Sequence, residues 1–301
     1  MRTTVAITNY NYGRFLEECL DSVLGQTRPV DQIVIVDDGS TDDSVKILEK
    51  YISDKDHITL ISQKNQGHLA ALDAAVAKAN GDIIFLLDAD DRYLPHHVAS
   101  TIEAFEENPK AELVFTGYRF IGNRTGDEYP RAESGFIGES ALAAIHDRYW
   151  ATGQTSLLAF RSSLAQRIFP YPKHWFTYGV QTGEAGVVLG ASILGARQYF
   201  IKDVQVEYRV HGENFDASRK HDISTSYRII RLSHEITEHF RRQVELPATF
   251  DIEALAEFRT WQKPSQKEWK CYRSIIWGSS MTIGRKIEHL IRAYRHYKSN
   301  R

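Results

Sequence analysis

The chain is poor in cysteine. Cys19 and Cys271 are its two thiols, and they fit no metal, redox or disulfide spacing. Each reads as a packed thiol, which suits a reducing compartment and points to a cytoplasmic protein. Long apolar runs are also missing. The longest weakly polar stretch, Ala185–Ala196, is too short to cross a bilayer. No secretory leader is read at the start, because Thr3–Thr8 already has the pattern of a first strand. Neither sign of charge dominates: 37 Lys and Arg face 39 Asp and Glu, so a net charge of −2 gives no global attraction to nucleic acid. Two phosphate-binding signatures are absent. No Gly-x-Gly-x-x-Gly follows the first strand, and no Walker loop occurs, which disfavours a dinucleotide fold and a P-loop enzyme. There is no internal repeat and no low-complexity segment.

What remains is an ordinary globular composition, 42% hydrophobic and 25% charged over 301 residues. That length allows one large domain or one domain with an appendage. The most informative stretch is Ile83–Asp91. Ile83 to Leu87 are uninterrupted strand formers, and Asp88, Asp90 and Asp91 follow at once. The run reads as a central strand covered on both faces, with its carboxylates at the carboxyl end, where open α/β sheets bind ligands. In extended chain Asp88 and Asp90 point the same way. Two hard oxygen donors on one side suit a divalent cation that also binds phosphate. Taken alone, the stretch reads equally well as a solvated acidic turn that caps a helix.

Strand and helix signals alternate before it. Val5–Ile7 leads into the polar loop Thr8–Gly13, and Phe15, Leu16, Cys19, Leu20, Val23 and Leu24 recur at helical spacing. Ile33–Val36 runs into Asp37–Asp42, and Ile58–Ile61 into Ser62–Gly67. The helix Leu69–Ala79 is closed by Asn80-Gly81. This alternation predicts a parallel sheet whose functional loops share one edge. Further on, Pro95 opens a helix, Ala111–Tyr118 and Thr155–Phe160 read as strands, and Arg119–Ser134 as a hairpin excursion. Glu184–Leu194 reads as a helix. Tyr199–Ile201 and Val204–Val210 read as a closing strand pair that ends in His211. After Asn214 helical periodicity takes over. Phe215–Lys220 is the expected boundary, with Pro247 and Pro264 separating three helical pieces. His96 and His97 diverge on a helix and do not pair as ligands. Trp261, Trp269 and Trp277 read as core residues.

Four segments together resemble the family 2 glycosyltransferases of GT-A fold: Val36–Asp42, Asn65–Gly67, Leu87–Asp91 and Tyr208–Gly212. The resemblance covers roughly Thr3 to Asn214. It implies an α/β, Rossmann-like sandwich with a central, mostly parallel sheet over residues 1–215, and leaves 216–301 as a helical extension. It also implies an inverting transferase for a nucleotide-diphosphate sugar, UDP being the expected nucleotide, with manganese or magnesium as cofactor. The acceptor would be a saccharide hydroxyl in cell-surface polysaccharide synthesis.

Carried over residue by residue, Asp38 with Asp37 would accept a hydrogen bond from the base, and Thr8, Asn9 and Tyr10 would line its pocket. Asn65, Gly67 and Ala89 join the donor site. Asp88 would hold the ribose or the metal, Asp90 would ligate the metal, and His211 would add a metal or diphosphate contact. Glu184 would be the catalytic base. The sequence departs from the family pattern in giving one carboxylate within Gly183-Glu184-Ala185-Gly186, and in placing Leu72 and Asp73 where arginine and asparagine are usual. Two other readings stay open: a sugar-nucleotide-binding scaffold without turnover, and a nucleotidyltransferase, which would need a basic, glycine-rich first loop that Thr8–Gly13 does not supply. Finally, Ile283–Arg301 holds six cations against Glu288, with Ile283, Ile287, Leu290, Ile291 and Tyr294 on a common face. Such a helix either docks on the catalytic domain or rests on an anionic membrane. Sugar identity, linkage and oligomeric state are not encoded in any motif.

Overall fold

A computed structural model describes residues 1–53, 55–148, 152–180, 183–212, 222–246 and 253–300. The first half alternates strand and helix: β1 (Thr3–Asn9), α1 (Gly13–Leu24), β2 (Gln32–Asp37), α2 (Ser44–Ile52), β3 (Ile58–Ser62), α3 (His68–Lys78) and β4 (Ile83–Asp88). Then follow β5 (Arg92–Tyr93), α4 (His97–Glu107), β6 (Leu113–Gly122), β7 (Gly126–Glu128), β8 (Gly135–Phe136), α5 (Ala141–Asp147), β9 (Leu158–Arg161), α6 (Ser162–Ile168), α7 (Gly183–Ile193) and β10 (Gln198–Val210). The chain closes with α8 (Ile223–Gln243), α9 (Ala254–Arg259), α10 (Gln266–Gly278) and α11 (Ile283–Ser299).

The strands form one sheet in the order β3-β2-β1-β4-β9-β6-β10-β5, with β7 against β6 and β8 against β10. β3, β2, β1 and β4 are mutually parallel, as are β6 and β10; β9 runs antiparallel between the two groups. The alternation of a strand splits each apolar run between two faces. Val5, Ile7, Ile33, Ile35, Phe85 and Leu87 pack with Leu16, Leu20, Val98 and Phe105 of α1 and α4. Ala6, Val34, Val36, Ile84 and Leu86 pack on the other side, with Leu69, Leu72 and Ala75 of α3 and with the α7 residues Val187 to Leu189. The central sheet is therefore covered on both faces. Cys19 and Cys271 are both free thiols and both buried.

The helical tail shares that second core. Leu232, Ile236 and Phe240 of α8, Phe258 of α9, Tyr272 of α10 and Tyr297 of α11 belong to the same buried cluster. Gly190 of α7 lets α8 approach, since a Cβ there would lie 2.8 Å from the Phe240 ring. The start of α5 is closed from the tail as well. Its unpaired amides at Leu142 and Ala143 donate to the Glu257 carboxylate at 2.9–3.3 Å, and Tyr272 Oη donates to the same group at 2.6 Å. Burial raises the Glu257 pKa, and these donors pull it back.

Several expectations are corrected. The expected closing strand pair is one strand, β10, whose register against β6 shifts between Ile201, Val204 and Val206; bulging absorbs the polar Lys202-Asp203 step. The tail has four described helices, because Gly278 and the serines after it also break the chain between α10 and α11. Trp261 is buried and Trp269 packs at the edge of the core, whereas Trp277 is 60% exposed. The expected boundary Phe215–Lys220 and the break at Pro247 lie outside the described residues.

Candidate active site

Register brings the polar strand ends together. Thr8 of β1 lies opposite Asp88 of β4, and Asn9 opposite Asp37 of β2. Above this edge opens a cleft of about 620 Å³, within the range of small-molecule sites. Thr8, Asn9, Tyr10, Asp38, Asn65, Gly67, Asp88, Asp90 and Glu184 all line it. Asp37, Ala89 and His211 do not. Asp37 is buried beneath the loop, accepting from Asn9 Nδ2 at 2.7 Å and from the Ser40 amide and hydroxyl at 3.0 and 2.6 Å. Ala89 packs in the core. Neighbours on extended chain point oppositely, so Asp37 holds the turn while Asp38 faces the cleft.

Asp38 organises the adjoining loop. Its Oδ1 accepts from Gln63 Nε2 at 2.7 Å and the Gln66 amide at 2.9 Å, and its Oδ2 from the Gly67 amide at 2.8 Å. A carboxylate has room for about four donors, so one more from a ligand can be accommodated. Gly39 makes this close approach feasible: its φ is +78°, and a Cβ would lie 2.8 Å from the Asn65 amide nitrogen.

The acidic turn after β4 is fixed from two directions. Asp88 Oδ1 accepts from Thr8 Oγ1 at 3.0 Å and lies 3.1 Å from His68 Nε2. Asp90 Oδ2 lies 2.9 Å from Nε2 of His211, whose ring packs against Phe15 and Tyr12. Asp91 turns inward to Ser156 Oγ at 2.6 Å and the Arg209 amide at 2.8 Å. Arg209 in turn donates through Nε to the Asp90 carbonyl at 2.9 Å. Burial raises the pKa of Asp90 and, with the neighbouring carboxylates adding to it, that of Asp91. For Asp88, burial is outweighed by His68 and by hydrogen bonds, so its carboxyl stays below the usual range. Burial also raises Glu184. Its Oε2 receives one long contact, from Thr155 Oγ1 at 3.4 Å.

Burial disfavours a charged His68, while Asp88 draws its pKa up to about 9. Yet the Gly183 amide donates to Nδ1 at 3.2 Å, which a doubly protonated ring cannot accept. The tautomer that fits this bond is neutral, with Nδ1 accepting and Nε2–H turned toward Asp88, 3.1 Å away and outside hydrogen-bond alignment. In chemical terms the Asp88 and Asp90 oxygens suit magnesium or manganese, and a cation would relieve the crowding of buried carboxylates. Among the described residues no three His, Cys, Asp or Glu are already grouped around a metal position. A divalent ion held here would complete its shell with water or phosphate oxygens.

Sequence reasoning did not single out His68, Tyr118, Glu128 or Tyr208, which also line the cleft. Tyr208 stands two positions inside the strand end that carries His211, a placement that could have marked it. A histidine directly after a glycine turn carries no comparable signal.

The fold and the acidic cleft define a sugar-transferring protein of GT-A type. The sequence model of glycosyl transferase family 2 matches residues 4–169, and the chain belongs to that family. Among its relatives is an uncharacterized glycosyltransferase of Nostoc sp., 28% identical over 94% of this chain and 88% of its own length. Glycosyltransferase GlyG of Streptococcus pneumoniae is 25% identical over 73% of this chain and 76% of the relative. An Escherichia coli chondroitin synthase is 33% identical, but over 42% of this chain and 19% of its own length. Among solved structures, S. aureus TarS in complex with UDP superposes with a TM-score of 0.59 at 17% identity, covering 99% of this chain and 91% of that one. TarS in complex with UDP-GlcNAc gives the same TM-score at 15% identity, covering 99% and 73%.

Proposed function

We propose that the protein is an inverting transferase that moves a sugar from a nucleotide diphosphate, preferably UDP, to a saccharide hydroxyl. The observation that carries this reading is the meeting of Asp38, Asp88, Asp90 and Glu184 in one cleft. Asp38, with Thr8, Asn9 and Tyr10, would receive the nucleoside. Asp88, Asp90 and His211 would hold a divalent ion. Such an ion supplies charge neutralisation for the departing diphosphate.

Glu184 acts as general base on the acceptor hydroxyl. Its burial suits the role, because a carboxylate with a raised pKa is a stronger base. Proton removal as the oxygen attacks, opposite the leaving group, inverts the anomeric centre. A saccharide acceptor in cell-surface polysaccharide synthesis is favoured by relatives named as chondroitin and hyaluronan synthases. The enzyme would act in the cytoplasm, with α11 against the inner membrane face, a placement favoured by Ile283, Ile287, Ile291 and Tyr294, which are 47–71% exposed beside basic residues.

A panel of UDP-sugars with manganese and oligosaccharide acceptors tests the proposal. Release of UDP coupled to acceptor elongation is expected. Tight binding of a UDP-sugar with neither hydrolysis nor transfer would replace the enzyme with a sugar-nucleotide-binding scaffold.

A further inference from the structure

We propose that His68 is a positioning residue that ties the helix carrying Glu184 to the donor-side carboxylate Asp88. The inference rests on reading Glu184 as the base and names the device that places it.

His68 is the first residue of α3, and Gly183 the first of α7. The two helix starts are far apart in sequence and meet at one imidazole. Nδ1 accepts the Gly183 amide at 3.2 Å, one of the donors that a helix leaves unpaired at its start. On the opposite side of the ring, Nε2 lies 3.1 Å from Asp88 Oδ1. Thr8 Oγ1 donates to that same oxygen at 3.0 Å. The imidazole thus spans β4 and α7: it accepts a hydrogen bond from the backbone directly before Glu184 and lies against Asp88 at a charge-pair distance, with Nε2 making no aligned hydrogen bond.

Space at Gly183 supports the same assignment. A Cβ there would lie 2.9 Å from His68 Nδ1, 3.0 Å from Cε1 and 3.1 Å from Cγ. The contact under 3.0 Å forces something to move, and the ring is hydrogen-bonded at Nδ1 and wedged against Asp88 on its other side. As the first residue of α7, Gly183 takes part in a helix that needs no positive φ, so it is glycine for room and not for backbone freedom. His68 and Gly183 therefore form a matched pair: the ring fills the volume that a side chain at 183 would take. Glu184, one residue on, inherits its position from that pair. A base must sit within hydrogen-bond reach of the hydroxyl it deprotonates, and displacement by about 1 Å can cost a hundredfold in rate.

The test separates position from mere folding. His68→Ala, His68→Asn and Gly183→Ala, with the double variant His68→Ala/Gly183→Ala, are compared for melting temperature, UDP affinity by calorimetry, and kcat and KM for a UDP-sugar. Asparagine can still accept the Gly183 amide through Oδ1 but falls short of Asp88. His68→Ala is expected to lower kcat at least tenfold and also to weaken UDP affinity through Asp88, whereas His68→Asn, which keeps the Gly183 contact but not the Asp88 one, is expected to recover part of kcat without recovering UDP affinity. Gly183→Ala is expected to lower the melting temperature in the presence of His68 and to have little effect in His68→Ala. Additive melting shifts, or a His68→Ala kcat within twofold of the parent, would overturn the proposal. The thermal comparison needs no turnover, so it judges the matched pair even if Glu184→Gln remains active and the base assignment falls.

Discussion

Asp90 and His211, 121 residues apart in the chain, meet at 2.9 Å between Oδ2 and Nε2. The contact joins the turn after β4 to the end of β10. If a divalent ion completes this pair, chelation stops sugar transfer and manganese or magnesium restores it. In His211→Ala the manganese concentration for half-restoration should rise about 10- to 100-fold, the usual cost of losing a metal contact. Activity titrated with manganese after chelation checks this; an unchanged midpoint would remove His211 from the site.

Glu184→Gln keeps shape and removes basicity. Transfer should fall by roughly 100- to 10,000-fold, the usual range for general-base loss, while calorimetry finds UDP binding intact. The parent enzyme's kcat should fall as pH drops through the Glu184 pKa, because only the ionised carboxylate takes a proton. Burial moves that inflection above the ordinary carboxylate range. A kcat independent of pH on the acid side, together with an active Gln variant, would place the base elsewhere.

His97 predicts an acid sensitivity unrelated to catalysis. It is fully buried between Phe85 and Tyr93, neither ring nitrogen has a hydrogen-bond partner, and burial lowers its pKa to about 3. The unfolded value is about 6.5. Between the two the unfolded chain binds more protons, so His97 contributes full stability above pH 6.5 and loses it as pH falls. The slope is about 1.4 kcal/mol per pH unit at its steepest. Urea unfolding from pH 7.5 to 5 should show this decline, and His97→Phe should flatten it. Parallel curves would mean that the imidazole is solvated.

The outer face of α11 carries Ile283, Ile287, Ile291 and Tyr294 in the open, while Ala293 and Tyr297 face the core. Arg285, Arg292, Arg295 and Lys298 lie on the same helix. Co-sedimentation with phosphatidylserine vesicles should be measurable at low salt, weaken as salt rises and drop severalfold in Ile287→Asp/Ile291→Asp. Equal sedimentation of parent and variant would leave the helix as a docked element only.

The first half of the fold was legible because its strands β1, β2 and β4 are buried on both faces. Uninterrupted runs such as Ile33–Val36 and Ile83–Leu87, each followed by an acidic turn, allow little else. The second half was harder. α5 and α6 have seven residues each, too few to show a helical period, and they were not anticipated. Lys202-Asp203 looked like a strand break because a bulge and a turn draw on the same polar residues. In the site, the acidic positions announced themselves by sitting at strand ends. The different orientations of Asp37 and Asp38 follow from strand alternation. His68 stayed invisible because its meaning comes from Gly183, more than a hundred residues away, and neither residue is informative alone.

The Glu257 carboxylate at the head of α5 makes the last fifty residues part of the catalytic body's construction. A protein trimmed after β10 would lose the acceptor for the Leu142 and Ala143 amides and bare the apolar side of α7 where Phe240 rests. Shortened expression versions should therefore precipitate rather than yield a minimal enzyme. Engineers seeking new acceptor specificity would do better to graft at surface loops than to exchange the carboxyl-terminal part wholesale.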